Sequence, residues 1–146
     1  MVMTHIETLE AEPETSVGTL HRALRRDVRF RFVAIGPGDL YETIREDGSV
    51  DEPGGTILIN PFEVPNGRED EFLAGWETLH AIVATRQGYL GTRLSRAAGP
   101  ADFRFVNVAR WSSPLMYSRT LQTPEFQAAS ERIDFQSHPA LYEVIR

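Results

Sequence analysis

The chain has 146 residues, of which 41% are hydrophobic and 25% charged, an ordinary globular composition long enough for one domain with a sizeable extension. A net charge of −6 argues against a nucleic-acid partner, and the absence of cysteine rules out disulfides, thiolate metal sites and a cysteine nucleophile. No apolar run reaches membrane-spanning length, the start lacks the basic-then-apolar order of a secretory signal, and the expected compartment is the cytoplasm.

Residues 1–16 are acidic and polar and read as a disordered or loosely attached start. The arginines at 22, 25, 26, 29 and 31 form a basic cluster that reads as a solvated strand and turn. Residues 46–55, EDGSVDEPGG, are a charged, Gly/Pro-rich connector and the clearest boundary in the chain, dividing an extension (1–55) from a domain (56–146). Thr56–Val64 is β-branched and predicts a strand, with Pro61 marking an edge, bulge or bend. A turn at Pro65-Asn66-Gly67 leads to a helix of about twenty residues reaching Gln87, with Phe72, Trp76, Leu79 and Val83 at helical spacing and Gly88 ending it. Leu90–Ala97 and Phe103–Trp111 predict a second and a third strand. Ser112 or Ser113 then caps a helix with Pro114 near its start, Thr123-Pro124 opens another helical piece, and Ala140–Ile145 is the last strand.

The order β-α-β-β-α-β predicts an α+β, ferredoxin-like unit: a four-stranded antiparallel sheet with both helices on one face. In the third strand Phe103, Phe105, Asn107, Ala109 and Trp111 share one face, while Arg104, Val106, Val108 and Arg110 share the other. The Val-centred face needs cover, which predicts a homodimer packed through its sheet faces, the dimeric α/β-barrel type. LHRALRRDVRFRFV (20–33) is similar to LSRAAGPADFRFV (94–106), and each segment is followed by a tyrosine, Tyr41 or Tyr117. Residues 18–46 are therefore a candidate degenerate half-repeat, a hairpin plus a helix, carrying Ala34 where Asn107 stands.

Asn107 and Trp111, four residues apart, lie on one strand face, and Tyr117 falls one turn into the following helix. Asparagine is disfavoured in strands and a buried amide needs a partner, so Asn107 points to a ligand. An amide both donates and accepts, an indole offers one N–H and a stacking face, and a phenol can donate or relay a proton.

Residues 56–146 resemble the antibiotic biosynthesis monooxygenase family through N-P-F-E-V-P-x-G (Asn60–Gly67), Gln87-Gly88-Tyr89, V-N-V-A-R-W (Val106–Trp111) and T-P-E-F (Thr123–Phe126). Asn107, Trp111 and Tyr117 match the side chains with which its cofactor-independent members, oxidisers of anthrone-type aromatic polyketides, hold substrate oxygens beside dioxygen. The resemblance implies a monooxygenase without flavin, metal or other cofactor, acting on an aromatic polyketide-type phenol or anthrone with O2. Catalysis falls to Asn107, Trp111 and Tyr117, and substrate binding to Asn60, Phe62, Phe72, Trp76, His80 and Phe105. Haem-degrading members use an asparagine matching Asn60, but their haem-ligand histidine falls at Ser130 here. A non-redox polyketide cyclase or isomerase in the same pocket is the alternative, and a non-catalytic binder of an aromatic metabolite is a third reading.

Overall fold

The structure, a computed structural model, describes residues 2–146. Four strands come first: β1 (Met3–Leu9), β2 (Thr19–Ala23), β3 (Phe32–Pro37) and β4 (Tyr41–Gly48). After the connector follow β5 (Thr56–Glu63), α1 (Glu69–Val83), β6 (Tyr89–Ala97), β7 (Phe105–Trp111), α2 (Pro114–Leu121) and α3 (Pro124–Ser130). The short β8 (Gln136–Ser137) and β9 (Ala140–Val144) end the chain. No helix among the described residues is long and apolar enough to cross a membrane.

The strands do not form the expected open four-stranded sheet. They run β7-β6-β4-β1-β3-β2-β9-β5, and β5 pairs back onto β7, so eight antiparallel strands close into a barrel. Nor is the extension a hairpin plus a helix: β1 takes Met3–Leu9 of the acidic start into the sheet, and Tyr41 opens a strand. The physical reason is edge satisfaction. A four-stranded sheet leaves two rows of unpaired N–H and C=O groups, and closure removes them. Here β4 pairs with β6 and β2 with β9, so each half of the chain covers the edge of the other.

The two halves are wired alike. β1 pairs with β3 and β4 as β5 pairs with β7 and β9, and the hairpin β2–β3 answers the hairpin β6–β7. In both hairpins the alanine N–H donates to the carbonyl of the arginine of FRFV, Ala23 to Arg31 and Ala97 to Arg104, each at 2.8 Å. Tyr41 donates its hydroxyl to the Phe103 carbonyl at 3.1 Å, and Tyr142 to the Phe30 carbonyl at 2.6 Å. The rings of Phe30 and Phe103 meet edge to face, 5.5 Å apart, inside the barrel.

That interior disposes of the argument for a sheet-to-sheet homodimer. Val106 and Val108 are buried against Ile6, Ala23, Phe30, Val33 and Tyr41 of the same chain, so the extension occupies the face assigned to a partner. The predicted alternation holds from Phe105 to Trp111, but Phe103, which precedes β7, turns into the barrel instead.

The three helices belong to the second half and pack on its outer face, and α1 also reaches β4 of the first half through Ile44, Arg45 and Asp47. Ser113 caps α2 by accepting from the Met116 N–H, and Thr123 caps α3 by accepting from the Phe126 N–H, both at 3.3 Å, with Pro114 and Pro124 in the first turns. α1 stops at Val83, and a turn carries the chain to Gly88, whose φ of 91° only glycine adopts readily. A Cβ on Gly88 would also lie 2.5 Å from the Met116 side chain, so this residue sets how closely α2 packs. Pro61, fully buried, sits where the neighbour of β5 changes from β9 (Ile59 opposite Ala140) to β8 (Phe62 opposite Ser137), so its missing N–H leaves no ladder bond unmade on that side.

Candidate active site

Three cross-strand pairs of β5 and β7 form the floor beneath the helices: Leu58 opposite Ala109, Asn60 opposite Asn107 and Phe62 opposite Phe105. The outer pairs belong to two apolar clusters, one with Phe72, Trp76 and Leu94, the other with Trp111, Tyr117 and Val83. The asparagine pair is thus a polar belt between two hydrophobic layers. Above it lies a cavity of about 90 Å³ lined by Asn60, Phe62, Trp76, His80, Asn107, Trp111 and Tyr117. Leu58, Leu79, Val83, Thr92, Ala109 and Phe126 complete its wall.

Hydrogen bonding fixes what this belt presents. The Trp76 indole N–H, which can only donate, gives its hydrogen to Asn107 Oδ1 at 3.2 Å. The backbone N–H of His138 donates to Asn60 Oδ1 at 3.1 Å. Both amide oxygens are engaged, so the orientation of each amide is dictated and its NH2 group remains for a ligand. Trp111 is 1% exposed and its Nε1 has no hydrogen-bond partner among the described residues. An unmet buried donor costs about 1–3 kcal/mol. The Tyr117 hydroxyl has no hydrogen-bond partner among the described residues, and burial pushes its pKa up to about 12, so it stays a neutral donor at physiological pH. Edge-to-face contact with Trp111, at 5.7 Å, holds the Tyr117 ring. The cavity is therefore rich in donors and suited to a developing anion.

Seven of the nine candidate residues meet at this cavity. Phe72 and Phe105 do not line it. Both are fully buried, stacked 4.4 Å apart at 20°, and support the floor from within the core. Helical spacing and strand alternation put them on the helix-facing side, but the pocket lies nearer the other end of β7. Thr92 was missed although it stands opposite Ala109 on the strand face that alternation assigns to the helices. Asp47 and Tyr89 were missed as well. Tyr89 donates its hydroxyl to Asp47 Oδ2 at 3.0 Å beside His80, and burial raises its pKa to about 12. Asp47 lay within the stretch read as a connector, and only the β4–β6 pairing brings it here.

The family model described as antibiotic biosynthesis monooxygenase matches residues 56–132, more than half of the chain. No curated protein matches it. Among solved structures, a candidate monooxygenase from Shewanella loihica PV-4 is 34% identical, with 64% of this chain and 96% of that one covered and a TM-score of 0.57. SnoaB, a cofactor-independent oxygenase from Streptomyces nogalater, is 24% identical over 62% of this chain and 93% of its own, with a TM-score of 0.57. The haem-degrading enzyme LmHde from Listeria monocytogenes is 14% identical over 96% of this chain and 97% of its own, with a TM-score of 0.63. Ser130, where the resemblance puts the haem-ligand histidine, carries a hydroxyl instead of an imidazole, donates it to the Gln127 carbonyl at 3.0 Å and lies outside the cavity wall.

Proposed function

Because this chain belongs to the antibiotic biosynthesis monooxygenase family, we propose that it is an oxygenase that oxidises an aromatic polyketide-type phenol or anthrone with O2 and no added cofactor. The observation that carries the reading is the donor set around the cavity: two amide NH2 groups, the unpartnered Trp111 Nε1 and the Tyr117 hydroxyl. An electron-rich substrate that has lost a proton reduces dioxygen by itself. The protein then has to stabilise the anion, exclude water and hold the reactants together. Asn107, Trp111 and Tyr117 are the catalytic groups. Asn60, Phe62, Trp76 and His80 border the substrate, and Trp111 and Tyr117 also supply aromatic faces for a planar ring. The name of SnoaB, a cofactor-independent oxygenase of the same fold, supports a mechanism without flavin or metal.

The cavity of about 90 Å³ is smaller than the ~300–1,000 Å³ usual for ligand pockets. Substrate entry therefore displaces a wall, and Tyr117 and Phe126 on the short helices α2 and α3 are the half-buried members free to shift. The test is to incubate metal-free protein with a panel of anthrones and hydroquinones, with and without oxygen. Quinone formation that requires oxygen is the expected result. Conversion of a linear precursor without oxygen transfers the assignment to a cyclase, and tight binding without turnover leaves a binding protein.

A further inference from the structure

His80 borders the cavity from α1, one helical turn beyond Trp76, with the two rings stacked 4.8 Å apart and 5° from parallel. Its Nε2 lies 3.3 Å from the Tyr89 hydroxyl oxygen and 3.4 Å from Asp47 Oδ2. Tyr89 has one proton and gives it to Asp47 at 3.0 Å, and a carboxylate only accepts. Both neighbours therefore present acceptors to Nε2, which fixes the hydrogen of the neutral ring there. Nδ1 is left as the nitrogen with a lone pair, and it has no hydrogen-bond partner among the described residues.

Asp47 comes from β4, in the half of the barrel that carries no helix, and stands opposite Thr92, itself part of the cavity wall. The next pair along these strands is Gly48 opposite Gly91, and a Cβ on Gly91 would fall 2.4 Å from the Ser49 nitrogen. Glycine at this place lets β4 lie close enough for Asp47 to reach His80. A second small cavity, about 90 Å³, lies on the far side and is lined by Arg45, Glu46, Asp47 and Glu77, while Trp76, His80 and Thr92 wall both cavities. Arg45 is paired with Glu77, and Glu46 with Arg93, so Asp47 is the carboxylate left to face the imidazole.

Resting on the reading above, we propose that His80 Nδ1 is the proton acceptor of the reaction and that Asp47, from the opposite half of the barrel, positions and charge-balances it through Nε2. In this step the substrate C–H or O–H bond breaks, its proton goes to Nδ1, and the electron pair stays on the substrate beside the Asn107 amide. The anion gives one electron to O2, and the resulting radical and superoxide couple into a C–O bond. The peroxide takes the proton back from the imidazolium. Loss of the remaining hydrogen on that carbon as a proton, with cleavage of the O–O bond, then yields a carbonyl and water. One atom of O2 enters the product, and the substrate is the only reductant. A base held in this way contributes about 10²–10⁴ in rate.

The test separates proton removal from oxidation. Under nitrogen, exchange of the anthrone methylene hydrogens with D2O is followed by NMR; in air, oxygen uptake is measured on the same samples of the full chain. His80→Ala and the size-conserving His80→Gln should each lose at least a hundredfold in both assays, with added imidazole restoring part of the exchange in His80→Ala. Asp47→Asn should lower kcat about tenfold with KM unchanged, which a merely structural contact would not do. Exchange and uptake within twofold of the native protein in both His80 variants overturn the proposal and leave the oxygenase reading standing. If the native protein exchanges the methylene without consuming oxygen, and the His80 variants abolish that exchange, His80 stands and the oxidation falls. Native protein that neither exchanges nor oxidises overturns both.

Discussion

The two halves of the barrel share their strand wiring and differ in almost everything chemical. Val33 and Val106 occupy matching places and both are fully buried in the interior. One position later the first half has Ala34, fully buried against Leu20 and Phe32, and the second has Asn107 beneath three helices. The same backbone frame thus ends in plain packing on one side and a donor-lined cavity on the other. Closing a barrel requires only strands with satisfied edges. Building a site requires helices that wall off space and polar groups whose bonds are left unmade. The first half supplies frame and, through Asp47, one contact to the site, and the second supplies frame and the rest of the cavity wall.

The largest effects should divide along this line. Phe32→Ala in the first half should cost about 3–5 kcal/mol of stability, read by chemical denaturation, while the folded fraction keeps its kcat within twofold. Asn107→Ala should do the reverse, lowering oxygen-dependent turnover about 10²–10³-fold with a small change in stability. If Phe32→Ala slows chemistry as much as Asn107→Ala does, the division is wrong. Trp76→Phe removes the indole N–H that anchors Asn107 Oδ1 and should cost about tenfold in kcat with little change in KM, since the amide can then rotate. An unchanged kcat would show that the amide is held some other way.

Smaller effects come from protons. Burial lowers the pKa of His21, in the first half of the barrel, so the unfolded chain takes up the proton first. Its contribution to stability is present above the ordinary histidine value of 6.5 and is lost as the pH falls through the lowered folded value. Tyr89, Tyr117 and Tyr142 in the second half are raised from 10.0 to about 12 by burial. Their contribution is present below pH 10 and is lost between about pH 10 and 12. Melting temperatures across pH should therefore fall at both ends, and His21→Gln should flatten only the acid limb.

Much of the second half was legible. Its caps are local: Ser113 and Thr123 each precede a proline and bond within their own first turn. The alternation along β7 separates Asn107 and Trp111 from Val106 and Val108 without knowledge of any other strand. The first half was not legible in this way. Among β1 residues only Ile6 is buried, and β4 reads YETIREDG, so neither carries a strong apolar period. What makes them strands is pairing with partners far along the chain, Tyr41 with Ala97 and Asp47 with Thr92 among them. The matching hairpins hinted at a second half, but Tyr41 was aligned with Tyr117 on a helix, whereas its hydrogen bond makes it the counterpart of Tyr142 on a strand. The Asp47 contact at the site lay hidden for the same reason.

Barrel closure within one chain also sets how the site responds to concentration. A barrel assembled from two separate subunits loses its shared edges on dilution, because their association is bimolecular. Here the connector between β4 and β5 ties the two halves together, and a short tether holds its ends at an effective concentration in the millimolar range. The β4–β6 and β2–β9 seams are therefore unimolecular contacts, and Asp47 remains beside His80 at any dilution that leaves the chain folded.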